Sequence, residues 1–416
     1  MGDDEGRERD PELTRRALLR GAAGIAAGGL ALAGGCKYDT QLFLVGGTPK
    51  ATSQHPEWAG SRVQVYRPLG RTGFRMSDIS FGCAGLGDAE VARRGVERGI
   101  TYFDTSPDYS RAGSEVALGQ GVRGARREDL FLVSKFCTAD GHLANDTPVP
   151  AVVASVEASL RRLGTDYLDL CHIHACNSLD RLMAPNIHEA FDRLKQAGKL
   201  RFLGVSSHTP DLETVMAHAV DSGRFDVIMV AYNFRNWPDL TNIFRRAHEK
   251  GVGVVAMKTL KGARHSQLAD FTPTERESFA QAAFKWVLSN PDVSGLVVSI
   301  GQKEQIDEYL YASGRAVTPE DVALLEKYDR LIARDYCRPG CGACLSACPY
   351  DVPVDDVLRY AMYAESYGRK DEAARLYAGV DSCHCAACSA PCEASCPFEL
   401  PIRDKLVRAD RLLRRA

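Results

Sequence analysis

The 416-residue chain lacks an excess of either charge: 52 basic residues stand against 54 acidic ones, for a formal net charge of −2. No basic face is implied, so nucleic-acid binding drops out, and the charged stretches read as solvated helix faces. Long hydrophobic runs are lacking too. The uncharged Ala/Gly/Leu stretch from Gly21 to Gly35 is too short to cross a ~30 Å hydrocarbon core as a helix. No Gly-x-Gly-x-x-Gly turn follows the first strand-like segment, which removes support for an open doubly wound nucleotide-binding sheet. No flavin-binding motif is recognisable either. The length suffices for two domains plus tails.

Cysteine, by contrast, is abundant and unevenly placed, with nine of the 14 in the last 80 residues. They form two groups that each end in Cys-Pro: Cys337, Cys341, Cys344, Cys348-Pro349, then Cys383, Cys385, Cys388, Cys392, Cys396-Pro397. Thiolates that converge on a compact iron-sulfur cubane come in such short-spaced runs, with a last Cys before a proline. Zinc would show paired Cys-x2-Cys ribbons, and cysteines this close in sequence bridge poorly among themselves as disulfides. The tails repeat as well, Cys348-Pro349-Tyr350-Asp351-Val352-Pro353 against Cys396-Pro397-Phe398-Glu399-Leu400-Pro401, so two copies of one half-module are expected. The pattern resembles helical two-cluster ferredoxins. That resemblance implies one 4Fe-4S cluster on Cys337, Cys341, Cys344 and Cys396, and another on Cys385, Cys388, Cys392 and Cys348. Nine thiols for eight places leave one spare, and one cluster or two stay open.

The N-terminus carries Thr14-Arg15-Arg16-Ala17-Leu18-Leu19-Arg20 ahead of the uncharged stretch, then Cys36. Paired arginines before a short apolar run read as a signal peptide, the alternative being an uncleaved amphipathic tail. They resemble the twin-arginine signal, which implies export of a folded, cofactor-loaded protein by the twin-arginine machinery to the periplasm or beyond. Cleavage after Ala31-Leu32-Ala33 and lipid anchoring through Cys36 are both left open. The expected organisation is a signal at 1–36, a linker at 37–63, a barrel at 64–334 and an iron-sulfur domain at 335–416.

Between linker and cysteines, short β-branched runs alternate with amphipathic stretches. Strands are expected at Ile79–Cys83, Ile100–Asp104, Leu130–Lys135, Leu168–His174, Phe202–Ser206, Val227–Tyr232, Val252–Met257 and Leu296–Ile300. Eight β-α units of this length predict an α/β fold, a (β/α)8 barrel whose chemistry sits at the strands' C-terminal ends. There the sequence reads Asp104-Thr105-Ser106-Pro107-Asp108-Tyr109, Lys135, and Asp169-Leu170-Cys171-His172-Ile173-His174. These segments resemble the aldo-keto reductases.

The resemblance implies hydride transfer between a nicotinamide cofactor, NADP(H) or NAD(H), and a small carbonyl or sugar-like substrate. Its tetrad would be Asp104, Tyr109, Lys135 and His174. Tyr109 would give the developing alkoxide its proton, which a phenol of ordinary pKa near ~10 does poorly unless a neighbouring ammonium pulls it down. Lys135 would be that ammonium, Asp104 would hold it, and His174 would donate a hydrogen bond to the carbonyl oxygen. His172, one layer deeper, reads as a satisfied core histidine, and His208 as either loop or pocket. Ser206, Ser207, Asn233, Lys258 and Gln305 would hold the dinucleotide, although Met229 and Tyr309 stand where the family has Gln and Asn. Hydride moves two electrons and a cluster one, so a redox partner protein is expected, or clusters that serve as structural staples. The alternatives are an iron-sulfur electron-transfer subunit with a non-catalytic barrel, and a nucleotide-sensing module.

Overall fold

The computed structural model describes residues 55–208, 211–235, 239–260, 276–331, 337–338, 341–366, 370–380 and 384–414. The expected signal with Cys36, residues 37–54 of the expected linker, and Cys383 lie outside the described residues. Among those described, no helix is long and apolar enough to cross a membrane. Residues 55–63, expected as linker, pack on the barrel: Trp58 is buried and its indole donates to the Arg276 carbonyl at 2.8 Å.

An antiparallel hairpin, β1 (Tyr66–Pro68) and β2 (Arg75–Ser77), precedes β3 (Ile79–Gly82), β4 (Tyr102–Asp104) and β5 (Phe131–Lys135). A second small hairpin follows, β6 (Cys137–Thr138) and β7 (Gly141–His142). Next come β8 (Leu168–Ile173), β9 (Leu200–Ser207), β10 (Val227–Ala231), β11 (Gly253–Met257) and β12 (Gly295–Ser299). The eight strands other than the two hairpins form a closed barrel, in the order β10-β11-β12-β3-β4-β5-β8-β9. Parallel pairing of β12 with β3, Val298 opposite Phe81, closes it.

Alternation along each strand sorts side chains between two cores. Tyr102, Phe131, Val133, Leu170, Val227, Met229, Val255 and Val297 fill the barrel, where the Tyr102 and Phe131 rings stack at 5.5 Å. Leu69 and Met76 of the first hairpin belong to the same cluster. Phe103, Leu132, Cys171, Ile173, Leu203 and Val205 point outward to the helices. Asp104, Lys135, His172 and His174 continue the inward series, so the period of two sends them toward the barrel axis at the strands' C-terminal ends. Asp169, part of the quoted motif, faces the other way. It accepts from the Leu132 N–H at 2.9 Å and pairs with Arg127 and Arg201, so it braces strands rather than doing chemistry.

The cysteine-rich residues build their own core around Val357, Ala373, Tyr377, Leu406 and Ala409, using helices Val354–Ser366, Lys370–Tyr377 and Ile402–Leu413. The expected duplication is visible in the backbone. Asp351 and Glu399, equivalent positions after each Cys-Pro, both take the left-handed conformation, with φ of 49° and 51°. Each copy then enters a helix, at Val354 and Ile402. Helix Val354–Ser366 lies over the barrel mouth, where Lys258 donates to the Tyr363 hydroxyl at 3.2 Å.

Candidate active site

The strand ends open into a cavity of about 1130 Å³. That is slightly above the ~300–1,000 Å³ typical of small-molecule pockets, which suits a dinucleotide with a small substrate. Asp104, Tyr109, Lys135 and His174 all line it. Lys135 is buried, and its ammonium donates to Asp104 Oδ1 and to the Thr105 carbonyl, each at 2.7 Å. The same nitrogen stands 4.8 Å from the centre of the Tyr109 ring, and that ring meets His174 edge-on at 6.1 Å. The tetrad expected from the strand ends is therefore assembled.

Burial works against the Lys135 ammonium, yet Asp104 and the Tyr109 phenol hold its pKa above the ordinary lysine value. Burial pushes the Asp104 carboxyl up and Lys135 pulls it back. The two act as an ion pair. His174 is kept far below the usual histidine pKa by burial, then by His142 and Lys135, so its ring is neutral. Backbone strain gathers around these groups. Ser110, Arg111 and Ala112 form a left-handed turn directly after Tyr109, with φ of 52°, 50° and 70°. Such residues cost roughly 1–2 kcal/mol each, which surrounding packing must offset. Ala175, next to His174, and Lys258 also have positive φ.

The cofactor set divides. Ser206 faces the cavity and its hydroxyl accepts from the Ala175 N–H at 3.2 Å. Ser207, one residue on, is turned away by the strand period and does not line it. Asn233 does not line it either: its amide donates to the Lys258 carbonyl at 3.2 Å and accepts from the Arg235 N–H at 3.0 Å. Lys258 lines the cavity, but its ammonium is engaged by Tyr363. Gln305 is at the wall and accepts from the Gly301 and Gln302 N–H groups, shaping the turn before its own helix. What remains on offer is Thr259 Oγ1, which the sequence did not announce, and His208 Nδ1, both buried at the cavity with no hydrogen-bond partner among the described residues. These residues fit a dinucleotide in volume and in available polar atoms.

His208 thus belongs to the pocket. His172 is fully buried as expected, but it is not satisfied: neither ring nitrogen has a partner among the described residues. Burial keeps it neutral. Gly204 explains how it fits, since a Cβ there would come 2.4 Å from His172 Nδ1.

The far wall is supplied by the cysteine-rich unit, through Asp356, Arg359, Tyr360 and Tyr363. Arg359 pairs with Asp356, and no spacing in the sequence pointed to either residue. Among the described residues no disulfide joins the cysteines. Cys337, Cys341, Cys344 and Cys396 surround one small cavity, so the first copy is completed by the Cys-Pro thiol of the second. Cys392 in turn has Cys348 and Cys388 among its electrostatic neighbours, which brings together three of the four residues of the reciprocal set. A tetrahedral zinc ion with ~2.3 Å bonds would draw thiolates to about 3.8 Å of one another. The grouping of described residues compact enough for a single ion, within 4.8 Å, lies elsewhere. Four thiols round one cavity are the donor set that a cluster would need.

Residues 87–277 match the family model described as the aldo/keto reductase family. L-galactose dehydrogenase of Arabidopsis thaliana is 29% identical over 281 residues, 59% of this chain and 87% of that protein. L-glyceraldehyde 3-phosphate reductase of Escherichia coli O157:H7 is 22% identical over 63% of this chain and 92% of its own length. Among solved structures, an aldo-keto reductase from Bacillus halodurans in its holo form aligns with a TM-score of 0.54 and 25% identity, over 64% of this chain and 96% of that one.

Proposed function

Since this chain is an oxidoreductase carrying an aldo/keto reductase family domain on a (β/α)8 barrel, we propose that it transfers a hydride between a nicotinamide dinucleotide, NADP(H) or NAD(H), and a small sugar-like carbonyl or alcohol. The observation that carries this reading is the placement of the Lys135 ammonium, bonded to Asp104 Oδ1 at 2.7 Å and set 4.8 Å from the Tyr109 ring, on the floor of a roomy cavity. The names of the relatives, a sugar dehydrogenase and a sugar-phosphate reductase, support the substrate class.

Bound in the cavity, a reduced nicotinamide supplies the hydride. The protein supplies the proton and the geometry. Tyr109 gives its phenolic proton to the oxygen that gains charge, and Lys135 stabilises the phenolate left behind. Asp104 keeps Lys135 charged and aimed. His174, neutral, donates a hydrogen bond to the same oxygen. Helix Val354–Ser366 covers the mouth and limits water there.

The reading extends to two 4Fe-4S clusters, on Cys337, Cys341, Cys344 and Cys396, and on Cys348, Cys385, Cys388 and Cys392, which would pass single electrons to a partner protein or staple the unit. Export through the twin-arginine route accords with clusters assembled before transport. The engaged side chains of Asn233 and Lys258 favour a second reading, an iron-sulfur electron carrier whose barrel no longer turns over. One experiment separates them. Tyr109→Phe is expected to remove most carbonyl reduction, roughly 10²-fold or more, while dinucleotide binding and iron content stay unchanged. Full activity in that variant would refute the tetrad, and wild-type protein that binds no dinucleotide would favour the carrier.

A further inference from the structure

Three potential ligands that the tetrad does not account for meet its His174 at the cavity's rim. Asp108, Cys137, His142 and His174 each offer one donor atom, and these atoms all lie within 4.8 Å of one another. Two of them come from the small hairpin after β5, whose antiparallel register sets Cys137 directly opposite His142. Directly opposed residues project from the same face, so the hairpin presents a thiol and an imidazole together. The other two come from the loop after β4 and the end of β8. Asp108 Oδ2 stands 3.5 Å from His174 Nδ1 and 3.7 Å from His142 Nε2, and the two imidazole rings approach to 4.5 Å.

Hydrogen bonding does not explain this convergence. Asp108 Oδ1 and His174 Nδ1 are both buried and have no hydrogen-bond partner among the described residues, and two such atoms in one place are costly. One Asp oxygen, one thiol and two imidazoles are a zinc donor set. Zinc bonds of 2.0–2.3 Å put tetrahedral ligands about 3.3–3.8 Å apart, so the closer pairs already stand at zinc spacing and the widest must close by about 1 Å. We propose that Asp108, Cys137, His142 and His174 bind a zinc ion at the mouth of the barrel, with His174 ligating through Nδ1.

The charges balance: a divalent ion meets one carboxylate and one thiolate, and binding releases the Cys137 proton. Burial holds the Cys137 thiol well above its ordinary pKa, so the ion itself must drive that deprotonation. Both imidazoles ligate in the neutral form. Coordination at Nδ1 places the His174 ring proton on the other nitrogen, Nε2, fixing the tautomer that can donate to a carbonyl oxygen. That consequence for turnover rests on the hydride-transfer reading; the metal content does not.

The test is elemental analysis of the full-length, anaerobically purified protein after brief incubation with zinc and desalting. Zinc is expected at about one per chain beyond the iron, with one sulfur and two nitrogen neighbours by X-ray absorption. Cys137→Ser and His142→Ala should each lose that zinc while iron content holds. Zinc well below one per chain in the wild type, or zinc retained in both variants, would overturn the site. If the site holds, stripping zinc should lower kcat about tenfold with restoration on readdition. An unchanged kcat would overturn the tautomer role and leave the hydride-transfer reading to the Tyr109 variant.

Discussion

Replacing Lys135 by Met removes an ammonium that is 2% exposed and leaves the Asp104 carboxylate, 5% exposed, buried without its counterion. Breaking one side of such a pair costs about 3–5 kcal/mol, because the surviving charge has neither water nor partner. At about 2–4 °C per kcal/mol for a domain of this size, the thermal midpoint of the barrel should fall by roughly 6–20 °C. Lys135→Met with Asp104→Leu removes both charges, and most of that loss should return, since paired apolar replacements of buried ion pairs are near neutral. Activity should not return in the double variant, because the phenol has lost its ammonium. The pH dependence has a definite sign. The folded pKa of Lys135 is raised above 10.5, so the stability that its ammonium contributes is present below that pH and is lost as pH rises through the higher folded value. Parallel melts of the single and double variants, with carbonyl-dependent cofactor oxidation, decide the matter. A double variant no more stable than Lys135→Met would refute the energetic coupling, and turnover in Lys135→Met would refute the chemical one.

Gly204→Ala should destabilise the barrel by about 1–3 kcal/mol, since the new Cβ would stand 2.4 Å from His172 Nδ1 and 3.1 Å from the Val227 carbonyl. A thermal melt reads this, and His172→Ala in the same chain should recover part of the loss. Cys341→Ser combined with Cys396→Ser should remove no more iron than either alone, about half, whereas Cys392→Ser combined with Cys396→Ser should remove nearly all of it. Iron counts that instead group Cys396 with Cys392 would show that the two copies bind separately.

The barrel was legible because each strand of a parallel barrel is buried on both faces and reads as an unbroken β-branched run, as at Val227–Ala231 and Gly253–Met257. The tetrad was legible for a related reason: strand period carries Asp104, Lys135 and His174 inward from three consecutive ends. That same period, applied to β9, separates Ser206 from Ser207, and a resemblance read as a pair of residues missed it. Asn233 was lost to its local loop, where its amide already satisfies Lys258 and Arg235. Asp108, Cys137 and His142 left no signal because strands two residues long have no periodicity and the group forms only when three loops meet. Arg359 and Tyr363 were equally silent, since nothing local states which helix will lie across the mouth.

That covering helix carries a consequence for maturation. Its tether is the cysteine-rich module, so a chain with an unfinished module presents a barrel with one wall absent. Competence would then arrive late, as a single event at the end of assembly, and damage to the thiol-rich half would be felt in the other half as loosened selectivity before any strand of the barrel had moved.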